Sequence, residues 1–437
     1  MLKQAPSKPY GEADMIPSKS SARKIIVGAG IGNALEWYDF SIYAIFAPFF
    51  AHQFFYRDDP RAALLASLAV FAVGFLFRPI GGIFFGWLAD RRGRRYAMLA
   101  SMVLTAVGSL IIAIAPPYAS IGLSAPVLLV LGRLTQGFGL GGEIGASFTF
   151  LVESAPPKHR GLWASSMFIA VSCGALSAAG AGLLLTSIFD GDAMQRYGWR
   201  IPFAAGALLG LYALWLRRDL EETRVFREEV AEVYQSERQT MWHGLWINKL
   251  AVLQVVGLTA GASLVYHTWI SGISNYAIRF KQMSAPAALG ALTIGIIIYA
   301  IAHPIWGHIS DRYGRRPNLL IFGFGSAILI VPLLNLIQGE FWQLTLSISV
   351  ALVFLAAWTS ICPAVFAELF PTRVRASGVA ISYSVTVATF GGTAPYLQTY
   401  WADQNKIGWF AAYVVIVSLL TIVTVMFMPE TRDRPLT

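Results

Sequence analysis

Twelve apolar runs, each about as long as a helix must be to cross a bilayer, divide this 437-residue chain, and no other feature restricts its fold as much. A membrane-spanning helix needs about 20 predominantly apolar residues. The runs lie near 25–50, 62–89, 97–116, 123–152, 163–189 and 201–216, then near 249–277, 286–310, 318–337, 342–369, 375–401 and 408–428. Lipid offers no hydrogen-bond partner to backbone N–H and C=O groups, so only helices and closed barrels span it. Continuous runs of this length read as helices. Composition agrees, with 56% of residues hydrophobic and only 13% charged, too apolar for a soluble chain. A soluble enzyme, a nucleic-acid binder and a disordered scaffold are thereby set aside.

Charge places the ends. Residues 1–24 are polar, carry Lys3, Lys8, Lys19, Arg23 and Lys24, and have no apolar centre. That is the pattern of a cytoplasmic tail, since a cleavable signal requires an apolar core. With this tail inside, the inner segments hold 24 of the 33 Lys and Arg residues and the outer loops 7, while Arg78 and Arg133 lie within spans. Such an excess marks the cytoplasmic side. The net charge of +9 reflects this asymmetry and requires no nucleic-acid partner. The expected fold is an all-α membrane protein of 12 transmembrane helices in two six-helix bundles, 25–216 and 249–428, with both termini cytoplasmic. Between the bundles, 217–248 is dense in Arg and Glu and reads as a cytoplasmic linker; 429–437 forms the second tail.

The two halves repeat in detail. Gly86-x-x-x-Asp90-x-x-Gly93-Arg94-Arg95 follows the second span, and Gly307-x-x-x-Asp311-x-x-Gly314-Arg315-Arg316 follows the eighth, 221 residues later. The first glycine of each motif lets a neighbouring helix approach closely, and the second lets the chain turn at positive φ. The aspartate can accept from helix N-termini or arginines, which makes a charge latch that breaks and reforms. A weaker echo pairs Glu153, Lys158, Arg160 and Gly161 with Glu368, Arg373, Arg375 and Gly378. Internal repeats of this kind build many carrier folds, with the binding site near the midplane between them.

The duplicated loop resembles the signature of the major facilitator superfamily. More narrowly, the chain is similar to the metabolite:proton symporter family. The segments that carry this are Gly32-Asn33-x-x-Glu36-Trp37-Tyr38-Asp39-Phe40, Gly74-x-x-x-Arg78-Pro79-x-Gly81-Gly82, Gly132-Arg133-x-x-Gln136-Gly137, Gly141-Gly142-Glu143-x-Gly145 and Gly198-Trp199-Arg200-x-Pro202-Phe203. The resemblance spans about residues 25 to 434 and looks nearest to the α-ketoglutarate permease type, with shikimate, citrate and proline/betaine carriers as sister types. It implies a symporter in a bacterial inner membrane that imports a small organic acid, 2-oxoglutarate or a related dicarboxylate first, by alternating access. A zwitterionic osmolyte, shikimate or citrate is the alternative; a channel or the membrane subunit of an ATP-driven importer fits the charge network less well. The expected partners are the substrate, protons and lipid, with no cofactor beyond the coupling proton, no metal and no obligatory protein partner. Two features depart from the 2-oxoglutarate type. Ser274-Asn275-Tyr276 stands where a lysine is expected before the tyrosine, and the tail around Pro429, Glu430 and Arg432 leans toward betaine-type carriers.

Charges inside spans narrow the candidate site. Each costs about 2.5–3.5 kcal/mol at the bilayer centre even on a lenient scale, so Glu36, Asp39, Arg78, Arg133 and Glu143 read as functional positions. Glu36 and Asp39 share a helix face, extended by Asn33 and Tyr43. Two carboxylates so close repel, which suits one to carry a proton; the alternative is a permanent pair with Arg78 or Arg133. Arg133, Gln136, Leu140 and Glu143 form one stripe on the fourth span. The resemblance associates Arg133 and Gln136 with proton coupling, and a guanidinium also suits a carboxylate. The candidate proton-coupling residues are Glu36, Asp39, Arg133 and Glu143. The candidate substrate residues are Arg78, Arg133, Gln136, Tyr43, Tyr266, His267, Tyr299 and Tyr383.

Two patterns are declined. Gly137-x-Gly139-x-x-Gly142 matches a dinucleotide fingerprint by letter, but that motif requires a preceding strand, and Gly137, Gly141 and Gly145 read as a helix-packing face. Cys173 and Cys362 sit in apolar runs with no metal-ligand spacing and read as packing residues.

Overall fold

The computed structural model describes residues 19–55, 60–92, 94–141, 144–217, 245–371, 374–432, 434 and 436. Twelve helical passages follow in the order set by the apolar runs. The first half comprises α1 (Lys19–Phe54), α2 (Pro60–Leu76 and Arg78–Arg92), α3 (Arg94–Ile114), α4 (Ser124–Leu140, resuming at Ile144–Glu153), α5 (Arg160–Ile188) and α6 (Arg200–Arg217). The second comprises α7 (Lys249–Tyr266, a π-helical turn at His267–Gly272, then Ile273–Phe280), α8 (Ala285–Tyr313) and α9 (Arg315–Leu336). It ends with α10 (Phe341–Thr359 and Cys362–Leu369), α11 (Arg375–Thr386, a π turn at Val387–Gly391, then Ala394–Asp403) and α12 (Ile407–Phe427).

Seven stretches among the described residues are long and apolar enough by themselves to cross a membrane. The other passages are shorter, interrupted or carry charges. Helix α1 already begins at Lys19, inside the segment read as a tail, because nothing from Lys19 to Lys24 breaks a helix. The charged connection read at 217–248 lies, over 218–244, outside the described residues.

The repeat is visible in the packing. Helix α3 lies against α4 and α6 as α9 lies against α10 and α12, and α2 meets α4 as α8 meets α10. The halves join along α5 with α8 and along α2 with α11, two pairings related by the same six-helix offset. Glycine sets how close the helices come. A Cβ on Gly137 would lie 1.8 Å from the Gly74 carbonyl oxygen, and one on Gly141 would lie 2.1 Å from that of Arg78, so α4 lies directly on α2. Exposed Val127, Leu131, Ile301, Ile305 and Phe427 form an outer surface suited to lipid. Cys362 is buried as expected of a packing residue, whereas Cys173 is exposed, its position on α5 facing away from the neighbouring helices.

Candidate functional site

Among the described residues, the charges buried deep within the spans of the first half fall into two separate groups. The first lies where α1 and α2 meet α7 and α11. Pro79 has no N–H and its ring crowds the preceding turn, so α2 breaks at Phe77 and restarts at Arg78. Arg78 Nη2 donates to Glu36 Oε1 at 2.5 Å, and both side chains are buried. Arg78 also acts electrostatically on His267 and Tyr383, and Glu36 on Tyr383. The Trp37 ring is 4.9 Å from Tyr266 and 6.1 Å from His267, while Phe75 lies 5.2 Å from His267. His267 Nδ1 is 2.9 Å from the Ser263 carbonyl oxygen, which only accepts, so Nδ1 carries a hydrogen. Tyr266 Oη and Ser382 Oγ are buried without a hydrogen-bond partner among the described residues.

Tyr299 and His303 extend this layer along α8. Tyr299 Oη donates to Thr359 Oγ1 at 2.9 Å, and His303 Nε2 lies 3.0 Å from the same oxygen. Thr359 spends its own hydrogen on the Leu355 carbonyl, so His303 donates from Nε2. The His303 ring stacks on Phe168 of α5 at 6.0 Å, across the boundary between halves. Of the eight predicted substrate residues, Arg78, Tyr266, His267, Tyr299 and Tyr383 are therefore gathered in one layer.

The other three belong to a second group inside the first half. Arg133 is fully buried with its guanidinium carbon 4.4 Å from the Tyr43 ring, 4.5 Å from Phe40 and 5.1 Å from Phe71. Arg133 Nη1 donates to Gln136 Oε1 at 2.8 Å, Gln136 Nε2 donates to Ser109 Oγ at 2.7 Å, and Ser109 Oγ donates to Asp39 Oδ1 at 3.0 Å. Tyr43 Oη is committed to the Ser67 carbonyl at 3.1 Å, on the N-terminal side of the interface layer. Sequence reasoning missed Ser109, although Ser101, Thr105 and Ser109 recur every four residues and mark a polar stripe on α3. Arg200 donates to the carbonyls of Ala113 and Ala115 at 2.8 and 2.7 Å and fastens α6 to the end of α3.

At the loop end of the molecule the C-terminal motif makes the contacts its spacing suggests. Asp311 accepts from the Gly161 and Leu162 N–H groups, both at 2.8 Å, at the start of α5, and from Arg315 Nη1 at 2.9 Å. Exposed N–H groups and the helix dipole make that terminus a good carboxylate site. A Cβ on Gly161 or Gly307 would meet backbone 2.8 Å away, so only glycines allow α5 and α8 this near. Gly314 has φ +104°. Arg315 also pairs with Glu368 at 3.1 Å, and Arg375 reaches across to Glu153 at 2.6 Å. Glu430 Oε1 and Oε2 accept from the N–H groups of Arg315 and Arg316 at 2.8 and 3.1 Å. For the N-terminal copy, Gly86, Asp90, Arg94 and Arg95 lie on described helices but their side chains do not belong to the described set, and Gly93 and Glu143 lie outside the described residues.

With this geometry in place, the likeness to known proteins becomes informative. The sequence pattern of the family described as "Sugar (and other) transporter" matches residues 25–227 and 215–437. The α-ketoglutarate permease of Escherichia coli K12 is 38% identical over 412 residues, covering 93% of this chain and 94% of the permease. A glycine betaine/proline/ectoine/pipecolic acid transporter of Dickeya dadantii is 30% identical over 449 residues, covering 100% of this chain and 89% of that one. Among solved structures, the partially occluded, inward-open xylose transporter of E. coli superposes with a TM-score of 0.73 at 20% identity, over 96% of this chain and 100% of that chain. That last likeness is one of fold.

Proposed function

The chain is a member of the sugar (and other) transporter family within the major facilitator superfamily, and from that premise we propose that it imports a small organic acid together with protons across a bacterial inner membrane. The observation that carries the substrate class is the buried Arg78–Glu36 pair in the layer between the halves. A guanidinium there anchors a carboxylate through paired, charge-assisted hydrogen bonds. Unpartnered Tyr266 and Ser382 hydroxyls, with Tyr299 and Tyr383, supply the remaining polar contacts. The 38% identical α-ketoglutarate permease puts 2-oxoglutarate or a related dicarboxylate first.

Two carboxylates on α1 handle protons, Glu36 in the binding layer and Asp39 in the relay to Arg133. The clasp of Asp311 and Arg315 on the start of α5, with its N-terminal counterpart at Asp90, Arg94 and Arg95, closes the loop end during alternating access. The excess of Lys and Arg on that side supports a cytoplasmic position for it and for both termini. A zwitterion is the second reading, supported by the 30% identical betaine and proline carriers and by the Trp37 and Tyr266 ring faces, which suit a quaternary ammonium.

The test is uptake of labelled 2-oxoglutarate and of labelled betaine into proteoliposomes, with and without an inward proton gradient, against unlabelled succinate, citrate, shikimate and proline. Gradient-driven uptake of 2-oxoglutarate, competed by succinate and not by proline, supports the first reading. Gradient-driven uptake of betaine, competed by proline, with no uptake of 2-oxoglutarate replaces it with the second.

A further inference from the structure

We propose that Glu36 is a placeholder for the substrate: its carboxylate holds the position on Arg78 that a substrate carboxylate takes, and protonation of Glu36 releases Arg78 to the substrate. The inference rests on the organic-acid reading above and deepens it. Its ground is charge balance in a buried layer. Arg78 is 1% exposed and Glu36 is 6% exposed, with 2.5 Å between Nη2 and Oε1. A buried ion with no counter-ion is strongly disfavoured, so Arg78 requires an anion at every stage of the cycle. In the empty carrier Glu36 supplies it.

Consider a substrate carboxylate entering this layer. If Glu36 stays ionised, two carboxylates compete for one guanidinium. If Glu36 takes up a proton, the substrate carboxylate pairs with Arg78 and the guanidinium again has one carboxylate partner. A proton that enters alone leaves Arg78 uncompensated. The guanidinium is therefore matched one to one in the empty and in the doubly loaded carrier, and in neither singly loaded form. Only the matched forms pass easily through a state closed to water, and that difference couples the two movements, one proton to Glu36 for each carboxylate on Arg78. The step forms an O–H bond on Glu36 with a proton from the entry side and exchanges one guanidinium–carboxylate hydrogen bond for another; no covalent bond of the substrate changes.

The surroundings favour this exchange over a permanent lock. Among the described residues Arg78 Nε is buried without an acceptor, so the guanidinium has donor capacity left for a second carboxylate oxygen. Tyr266 Oη is likewise unpartnered on the facing helix. Among the described residues, the titratable groups near Glu36 include Arg78 from α2 and Tyr383 from α11, with Tyr266 and His267 of α7 against the adjoining Trp37 and Asp39 one turn along α1. Arg133, the other deep cation of the first half, is enclosed by Phe40, Tyr43 and Phe71 and tied to Gln136. The carboxylate is also the one group that 2-oxoglutarate, citrate, shikimate, proline and betaine have in common, so the exchange at Arg78 is open to each of them.

The experiment measures binding of 2-oxoglutarate and of betaine to the purified full chain in nanodiscs between pH 5.5 and 8.5, with proton uptake followed by an indicator in weak buffer. In the wild type, Kd rises by up to tenfold per pH unit above the titration of Glu36, and binding takes up a proton there. Glu36→Gln binds with a Kd that no longer changes over this range, and its proton uptake falls by one per bound carboxylate. Glu36→Asp, which keeps a titrating group, retains the pH dependence. A wild-type carrier that binds without proton uptake at any pH overturns the proposal. So does Glu36→Gln with the wild-type pH profile, or a monodisperse Glu36→Gln protein that binds nothing while Glu36→Asp binds normally, since Glu36 is then a structural lock. If the wild type binds none of the carboxylates, the organic-acid reading fails and takes the proposal with it; a pH profile unchanged in Glu36→Gln removes the proposal alone.

Discussion

Asp39 on α1 and Arg133 on α4 are joined through two neutral side chains and not by a direct ion pair. The hydrogen bonds run in one sense, from Arg133 to Gln136 at 2.8 Å, from Gln136 to Ser109 at 2.7 Å and from Ser109 to Asp39 at 3.0 Å. An aspartate so connected can change its charge while the arginine stays in its aromatic enclosure. Translocation is where that matters, whereas Glu36 acts at binding.

Asp39→Asn is expected to lower gradient-driven accumulation to what the Glu36 proton alone sustains and to leave substrate exchange running. An inward potential of 100 mV contributes about 2.3 kcal/mol per charge, equivalent to tens-fold accumulation, and this is the quantity lost. The pH dependence of substrate binding, assigned to Glu36, persists in the same variant. Proteoliposome accumulation and counterflow measured side by side decide it; a variant that concentrates substrate as far as the wild type contradicts the role.

Ser109→Ala removes the middle of the relay and leaves Gln136 Nε2 without its acceptor. A buried donor stripped of its partner costs about 1–3 kcal/mol, so gradient-driven uptake is expected to slow by roughly tenfold or more. Ser109→Thr keeps the hydroxyl and restores most of the rate. Equal rates for the alanine variant and the wild type would remove Ser109 from the pathway.

Arg133→Ala takes away the cation of the same group. Coupled uptake should disappear, and Arg133→Lys should recover little, because an ammonium lacks the flat face that packs between Tyr43, Phe40 and Phe71. Full accumulation by either variant would show that the proton responds elsewhere.

Gly161→Ala tests the clasp at the loop end. The added methyl would sit 2.8 Å from Arg315 Nη1, Asp311 Oδ1 and the Gly307 carbonyl oxygen, so α5 and α8 must separate. Spin labels at residues 162 and 316, in a background lacking Cys173 and Cys362, are expected to report a longer mean distance. An unchanged distance distribution would mean that the helices absorb the methyl without opening.

Glu430 gives the clasp a pH dependence. Burial favours its neutral form, but the N–H groups of Arg315, Arg316, Arg432 and Thr431 outweigh burial and hold its pKa below the ordinary carboxylate value. A depressed carboxylate stabilises the fold above its unfolded value of about 4.3, and that contribution is lost as pH falls through the lower folded value. Glu430→Gln should therefore lower the thermal midpoint by a few degrees at neutral pH, and the gap to the wild type should close as pH approaches 3. A gap that stays constant across this range would assign the effect to shape and not to charge.

Length and apolarity fixed the spans, because lipid leaves the backbone no alternative to internal hydrogen bonding. The family was legible as well, since a loop duplicated at the same place in both halves is a local pattern that survives in the letters. The clasp followed from the same motif: positive φ at Gly314 and close approach at Gly307 are demands on single residues, which glycine alone meets. The partition of the buried charges was not legible. Spacing along α1 places Glu36 and Asp39 on one face, yet α1 borders α2 and α7 on one side and α3 and α6 on another, and the turn between the two residues sends one to Arg78 and the other to Ser109. Tyr43 meets Arg133 only because α1 packs beside α4, and the four-residue recurrence of hydroxyls that includes Ser109 does not say which helix it faces. Periodicity reports which face of its own helix a residue occupies. Which neighbour covers that face depends on how twelve helices pack, and only the tertiary structure decides it.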